Sequence, residues 1–397
     1  MTRQGSPAEV FAAFLKLGLT SFGGPIAHLG YFRDELVLRR KWLDEAGYAE
    51  LVALCQFLPG PASSQVGFAL GLLRGNSLLG GLAAWFAFTM PSALLLLAAA
   101  LGAKATGGPL ADGVIHGLKL VAVAVVAQAV WGMARTLAPD RSRAAIALLA
   151  AAIVLLAGGS LGQIGAIALG ALSGLWLCRG PTADAPAGMH FPVGRRQGAV
   201  ALALCAGLLV ALPLLAHAGA GPALQLFDAF YRAGALVFGG GHVVLPLLQA
   251  EVVAPGWTTN EAFLAGYGLA QAVPGPLFTV AAYLGAVMIP APNGVAGALI
   301  ALSGVFLPGL LLVYGMLPFW EALRARPAAR AAMRGANAAV VGILGAALYS
   351  PIWTSAILSP ADVLLALAGL LALTMWKAPP WTVVLALAAA GALTALV

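Results

Sequence analysis

Two apolar stretches of this chain are interrupted by the same tripeptide. Gln56-Phe57-Leu58-Pro59-Gly60-Pro61-Ala62-Ser63-Ser64-Gln65 returns about 215 residues later as Gln271-Ala272-Val273-Pro274-Gly275-Pro276-Leu277-Phe278-Thr279-Val280. A Pro-Gly-Pro inside an apolar run ends a helix, because two backbone donors are missing and the glycine between them is flexible. Unpaired backbone persists at membrane depth only where it is buried in protein or lines a wet cavity. Broken helices at matching places in two halves are the strongest sequence pointer to a transport site.

The chain is 61% hydrophobic, 9% charged and carries 50 glycines, more apolar surface than a soluble core absorbs. The expected class is therefore an all-α polytopic membrane protein. The N-terminal Met1-Thr2-Arg3-Gln4-Gly5-Ser6-Pro7 shows no cleavage-site pattern, so the first apolar segment is expected to remain. Cys55, Cys178 and Cys205 sit in apolar stretches without ligand spacing, which reads as packing rather than a disulfide framework or a metal site. A net charge of +7 needs no nucleic-acid partner, since Lys and Arg collect in the cytoplasmic loops of membrane proteins. There is no G-x-x-x-x-G-K-[ST] pattern and no nucleophile–base set. Neither ATP driving, nor enzyme chemistry, nor a cofactor is expected.

About thirteen apolar units run over 8–32, 47–73, 78–103, 111–136, 144–157, 161–178, 198–217, 224–248, 261–288, 294–317, 329–350, 361–376 and 380–397. The longest polar connector, 179–197, marks the boundary between halves. The expected organisation is one repeat over 1–180, a linker with one extra transmembrane helix over 181–220, and a second repeat over 221–397. Phe22-Gly23-Gly24-Pro25 is answered by Phe238-Gly239-Gly240-Gly241, Lys16 by Arg232, Gly18 by Gly234, Glu35 by Glu251, Trp42 by Trp257, and Met90-Pro91 by Leu307-Pro308. One extra crossing between two six-unit halves makes this an inverted-topology repeat.

If every unit crossed from a cytoplasmic N-terminus, Arg33, Arg39, Arg40 and Lys41 would lie outside, against the positive-inside rule. Re-entrant hairpins at Phe22-Gly23-Gly24-Pro25 and Pro59-Gly60-Pro61 return that cluster and Arg74 to the cytoplasm. Their counterparts would enter from outside, and the connectors 218–223, 249–260 and 289–293 contain no Lys or Arg. Arms of about 12 residues are roughly 18 Å long, enough to pass the midplane of a roughly 30 Å core and return. The expectation is nine crossings and four re-entrant or broken units, with the C-terminus outside.

A helix that restarts near the midplane presents free amide N–H groups and a partial positive charge, which hold an anion without a side chain. Gly23, Gly24, Gly239, Gly240 and Gly241 let backbone and anion approach closely. Ser63, Ser64, Gln65 and Thr279 follow the two Pro-Gly-Pro breaks as further donors. Pro and Gly also simply kink packed transmembrane helices, but four matched breaks with polar flanks favour a site. Lys16 and Arg232, each six residues before a Phe-Gly-Gly, suit a divalent anion; the alternative is that both snorkel to an interface. Proton coupling has candidates in His28, His242, Glu35 and Glu251, against packed histidines and solvated loop carboxylates. Lys119, whose repeat partner is Asn337, is a further candidate.

Phe22-Gly23-Gly24-Pro25, Leu58-Pro59-Gly60-Pro61-Ala62-Ser63-Ser64-Gln65, Phe238-Gly239-Gly240-Gly241-His242 and Val273-Pro274-Gly275-Pro276 together closely resemble the chromate ion transporter family in its long, two-domain form. The resemblance covers both halves. It implies a secondary transporter of the bacterial inner membrane that exports chromate, confers chromate resistance, and meets sulfate as a competing analogue. It also implies that Gly23, Gly24, Pro25, Pro59, Gly60, Pro61, Ser63, Gln65, Gly239, Gly240, Gly241, His242, Pro274, Gly275 and Pro276 lie at the path. In the second half Leu277-Phe278-Thr279 replaces the Ser-Ser-Gln signature, so the halves are expected to play unequal roles. A sulfate importer and an anion channel stay in view as alternatives. Stretches such as Gly158-Gly159 and Gly162 to Gly174 pack helices within one chain or between copies, leaving a homo-oligomer open.

Overall fold

The structure is a computed structural model that describes residues 5–103, 108–157, 159–179, 191–238, 241–324 and 326–395. Gly239 and Gly240, and most of the connector expected to separate the halves, lie outside the described residues. The described residues contain helices and turns and no strand.

The first apolar unit is two helices, α1 (Pro7–Thr20) and α2 (Gly24–Phe32), with α2 running on as a π-helical turn over Arg33–Arg39. Ser6 starts α1 by accepting from Glu9 N, and Ser21-Phe22-Gly23 ends it, Gly23 taking φ 98°. The second unit is likewise α3 (Glu45–Phe57), capped by Asp44, and α4 (Ala62–Gly75), parted by Leu58-Pro59-Gly60-Pro61. Long helices follow: α5 (Leu78–Ala103), α6 (Pro109–Leu137), α7 (Arg141–Ala157) and α8 (Gly159–Leu177). After the extra helix α9 (Arg195–His217) the pattern repeats. Broken pairs α10 (Pro222–Ala235) with α11 (Val244–Val252) and α12 (Asn260–Ala272) with α13 (Val280–Val287) precede α14 (Gly294–Met316). A short α15 (Trp320–Arg324) leads into α16 (Pro327–Ala347), and α17 (Thr354–Ala356) into the final pair α18 (Pro360–Thr374) and α19 (Pro380–Thr394).

Both N-terminal hairpins open and close on one face. Gly5 N donates to Arg74 O at 2.9 Å, Arg74 Nη2 pairs with Glu9 at 2.9 Å, and the Arg74 guanidinium lies 5.4 Å over the Trp42 ring. The start of α1, the turn before α3 and the end of α4 therefore meet. The α12–α13 hairpin closes in the same way, with Ile289 N donating to Trp257 O at 2.8 Å. Five helices, within 78–102, 109–137, 195–217, 294–319 and 327–356, are long and apolar enough to cross a membrane; α18 and α19 are shorter apolar helices. Leu148, Leu156 and Leu161 are at least 74% exposed, a surface that belongs in lipid. The protein is a multi-pass membrane protein of two repeats.

The tertiary arrangement exchanges arms between halves. α7 and α8 pack on α16 of the second half, while α18 and α19 pack on α6 of the first. Small residues allow backbone contact there: Gly335 meets the carbonyl of Gly170, and Gly391 that of Gly113. Within each half, α1 and α4 pack on α5 as α10 and α13 pack on α14.

Candidate functional site

The four breaks converge. Gly60 N, in the first Pro-Gly-Pro, donates to Val237 O, just before the second-half Phe-Gly-Gly, at 2.7 Å. Gly275 N, in the second Pro-Gly-Pro, donates to Ser21 O, just before the first-half Phe22-Gly23-Gly24, at 2.9 Å. Each half thus satisfies the other's broken backbone, as burial in a membrane protein demands. A side chain on Gly241 would begin 3.0 Å from Pro25 Cγ, so the residues that follow the two Phe-Gly-Gly stretches also touch.

Gly60 and Gly275 take φ of 119° and 103°, where only glycine is unstrained. Each docks on the proline-containing middle of the other half's long helix. A Cβ on Gly60 would sit 3.0 Å from Gly309 Cα, next to Pro308, and one on Gly275 would sit 2.8 Å from Ser92 Oγ, next to Pro91.

The first-half break opens directly into α-helix. α4 begins at Ala62 with Pro61 as its cap and no side chain bonded there, so the amides of its first turn face the break. α2 begins the same way behind Gly23. The second half differs, because 3-10 turns Gly241–Val243 and Leu277–Thr279 precede α11 and α13. Thr279 Oγ1 donates to Pro276 O at 2.7 Å, which turns the hydroxyl back on its own turn. Pro274 and Pro276 flank Gly275 as Pro59 and Pro61 flank Gly60.

Side chains of the first half carry the polarity. Ser63, Ser64 and Gln65 are all buried. Gln65 Nε2 donates to Pro59 O at 2.9 Å and to Gly309 O at 3.0 Å, so its amide clamps the break to α14 rather than presenting donors to a ligand. His28 Nδ1 lies 3.4 Å from Ser63 Oγ, its ring edge-on to Phe88. His242 has a different setting, with Nδ1 2.6 Å from the Tyr267 hydroxyl. Ser21 Oγ, His28 Nε2, Ser64 Oγ, Gln65 Oε1, Thr89 Oγ1 and Gln271 Nε2 are buried without a hydrogen-bond partner among the described residues. Unpaired buried polar atoms gathered at the meeting of four helix breaks mark the candidate polar site of the protein.

The cation and carboxylate candidates pair with each other. Lys16 Nζ lies 2.8 Å from Glu35, which also holds Arg39 at 2.9 Å and Arg40 at 2.8 Å. Arg232 lies 2.7 Å from Glu251 and 3.0 Å from Asp228. Both cross-pairs span 19 residues, so the repeat extends to its ion pairs. Lys119, buried on α6, reaches Glu261 of α12 at 3.8 Å.

Ser21, Thr89 and Ser92 also lie beside the breaks, although the motifs alone did not single them out, and Gln271 heads the second Pro-Gly-Pro stretch. Thr89 and Ser92 bracket Pro91 inside an apolar run, and that is the signal that could have found them.

A family described as Chromate transporter matches residues 8–175 and 224–392, one match per half. A chromate transport protein of Pseudomonas aeruginosa is 30% identical over 344 residues, covering 85% of this chain and 79% of the relative. One from Cupriavidus metallidurans is 28% identical over 346 residues, covering 84% and 80%. An uncharacterised transporter of Methanocaldococcus jannaschii is 24% identical over 329 residues, covering 82% and 79%. No solved structure matches this chain. With both halves matched and the motif-bearing breaks inside the matched residues, the chain belongs to the chromate transporter family.

Proposed function

We propose that this protein exports a divalent tetrahedral oxyanion, chromate with sulfate as its competing analogue, across the bacterial inner membrane by alternating access, and so confers chromate resistance. The substrate class follows the relatives named as chromate transport proteins. The observation that carries the reading is the crossed pair of backbone bonds, Gly60 to Val237 and Gly275 to Ser21, which gathers all four helix breaks between the halves. Sites of secondary transporters built from inverted repeats lie at such an interface.

In this reading the amide ends of α2 and α4, with Ser63 and Ser64, hold the anion, and Gly23, Gly24, Pro25, Pro59, Gly60 and Pro61 shape the approach. Gly241, His242, Pro274, Gly275, Pro276 and Thr279 form the opposing wall. Lys16 supplies charge compensation more readily than Arg232. Its side chain is 49% exposed and Glu35 keeps two arginines without it, whereas Arg232 is held by two carboxylates. His28, with Ser63 at hand, is the coupling candidate of the first half. The face holding Arg39, Arg40 and Arg74 is cytoplasmic, which puts the N-terminus inside and, after nine crossings, the C-terminus in the periplasm. The halves divide as 1–180 and 221–397 about the linker at 181–220.

Chromate uptake into everted membrane vesicles, with and without a proton gradient, tests this. Saturable, gradient-dependent uptake inhibited by sulfate and lost in Ser63→Ala is the expected result. Folded protein with no uptake above empty vesicles removes chromate; uptake without saturation makes the protein a channel.

A further inference from the structure

Away from the four breaks, the arginine-rich face holds a second polar concavity. The α6–α7 turn, the end of α8 and the first part of α16 enclose a pocket of about 390 Å³, lined by Asp140, Arg141, Arg143, Arg179 and Arg334 with Leu177 in its wall. Four guanidinium groups meet one carboxylate. Asp140 is held by Arg143, whose amide donates to it at 2.9 Å and whose Nε donates at 2.6 Å. Those bonds hold its carboxyl below the usual range, so it stays ionised and bound to that arginine. Arg334 Nη1 donates to the Cys178 carbonyl at 3.2 Å and Arg179 Nε to the Leu175 carbonyl at 2.7 Å. Both acceptors are neutral, which leaves the pocket with a net charge near three positive units.

The repeat indicates that the fold does not require this excess. Arg334 occupies in α16 the place that His116 occupies in α6, by the offset that relates Asn337 to Lys119. There His116 Nε2 lies 2.7 Å from Asp362 Oδ1, and a carboxylate closes the corner between α6 and α18. At the arginine corner cations converge from three helices instead. Guanidinium forks match tetrahedral phosphate oxygens, with two donors aligned per contact.

The surroundings select a lipid as the carrier of that phosphate. Leu177, in the pocket wall, is itself 56% exposed, and Trp176 beside it is 67% exposed. α7 presents Leu148, Leu149 and Leu156 outward, and α8 presents Leu161, Leu169 and Leu172. Charge inside the pocket therefore adjoins an apolar wall on which acyl chains can lie.

We propose that this pocket binds the phosphate of an anionic phospholipid, which bridges the exchanged α7–α8 arm of the first half to α16 of the second. Native mass spectrometry of the full-length protein, titrated with phosphatidylglycerol, cardiolipin or phosphatidylcholine, reads the binding directly. Wild type is expected to hold the two anionic lipids preferentially. Arg141→Gln/Arg334→Gln is expected to weaken them about 30-fold, at about 1 kcal/mol per arginine. If the double variant does not fold, Arg141→Gln alone carries the test with an expected loss of about fivefold. Equal anionic-lipid affinity in wild type and variant, or equal binding of phosphatidylcholine, would overturn the proposal. A further arm adds inorganic phosphate to wild type in phosphatidylcholine nanodiscs. Thermal stabilisation there that vanishes in the variant would assign the pocket to a soluble anion and overturn the lipid; its absence supports the lipid.

Discussion

Lys16 and Arg232 are repeat mates, yet their removal should have very different consequences. Arg232 lies between Asp228, whose side chain is 3% exposed, and Glu251, whose side chain is 10% exposed. Arg232→Met keeps the apolar stem and leaves the buried Asp228 without its cation, which costs about 3–5 kcal/mol. Lys16 is 49% exposed and Glu35 retains Arg39 and Arg40, so Lys16→Met removes a solvent-screened contact worth about 0–1 kcal/mol. Thermal unfolding followed by tryptophan fluorescence in detergent measures both. Arg232→Met is expected to lose a large part of a total stability of about 5–15 kcal/mol, while Lys16→Met unfolds near wild type. Adding Asp228→Asn to Arg232→Met should recover most of the loss, because the buried carboxylate is then neutral. Equal losses in the two single variants, or no recovery in the double variant, would refute the reasoning.

Gly60→Ala is expected to cost about 2–6 kcal/mol, from a left-handed φ and a Cβ 3.0 Å from Gly309 Cα, while Gly24→Ala meets open space and bears the φ strain alone. Equal unfolding temperatures for the two would show that the break does not dock on α14. Cysteines at Ala124 of α6 and Gly369 of α18, where a Cβ on Gly369 would lie 3.2 Å from Ala124 Cβ, should crosslink under mild oxidation in a chain lacking Cys55, Cys178 and Cys205; failure to do so would contradict the exchanged arms. Arg40→Cys should react with a membrane-impermeant maleimide in everted vesicles and not in intact cells, and the reverse pattern would invert the topology. Pro91→Ala should restore a helical hydrogen bond in α5, stabilise by about 0.5–1.5 kcal/mol and slow transport, since Gly275 docks against Phe88 and Ser92 on that bend. Unchanged uptake rates would show that the bend is not used.

The breaks were legible because Pro59-Gly60-Pro61 and Pro274-Gly275-Pro276 forbid helix whatever surrounds them. Re-entry was legible too, since only hairpins put Arg39, Arg40 and Arg74 on one face, and Arg74 does lie over Trp42. The pairing of Lys16 with Glu35 was not. Each was weighed alone because no propensity links residues 19 apart across a broken hairpin. The exchange of arms left no trace for a similar reason. α7, α8, α18 and α19 are lipid-facing helices whose partners are chosen by glycine-to-backbone fit, as at Gly335 and Gly170, and that fit has no hydrophobic period to read. The inequality of the halves was visible in Ser63-Ser64-Gln65 against Leu277-Phe278-Thr279. Its structural form, an open α-helical start in one half and a 3-10 turn in the other, required coordinates.

That inequality separates two demands on one site. A break in the middle of a membrane must have its amides satisfied, and both halves meet this in the same way, Gly60 on Val237 and Gly275 on Ser21. This demand falls on the backbone and is therefore symmetric, and it explains why the glycines and prolines are kept in both repeats. The demand of a ligand falls on donors, and an oxyanion that enters on one face and leaves on the other needs only one set of them. In the proposed function Ser63, Ser64 and the open start of α4 provide that set, while the second half has the apolar Leu277 and Phe278, both buried, at the equivalent positions. A second set of donors would double the cost of burying polar groups in lipid without adding a substrate. In the function proposed above, the symmetric backbone carries the two opposed conformations, and the asymmetric side chains decide what is carried.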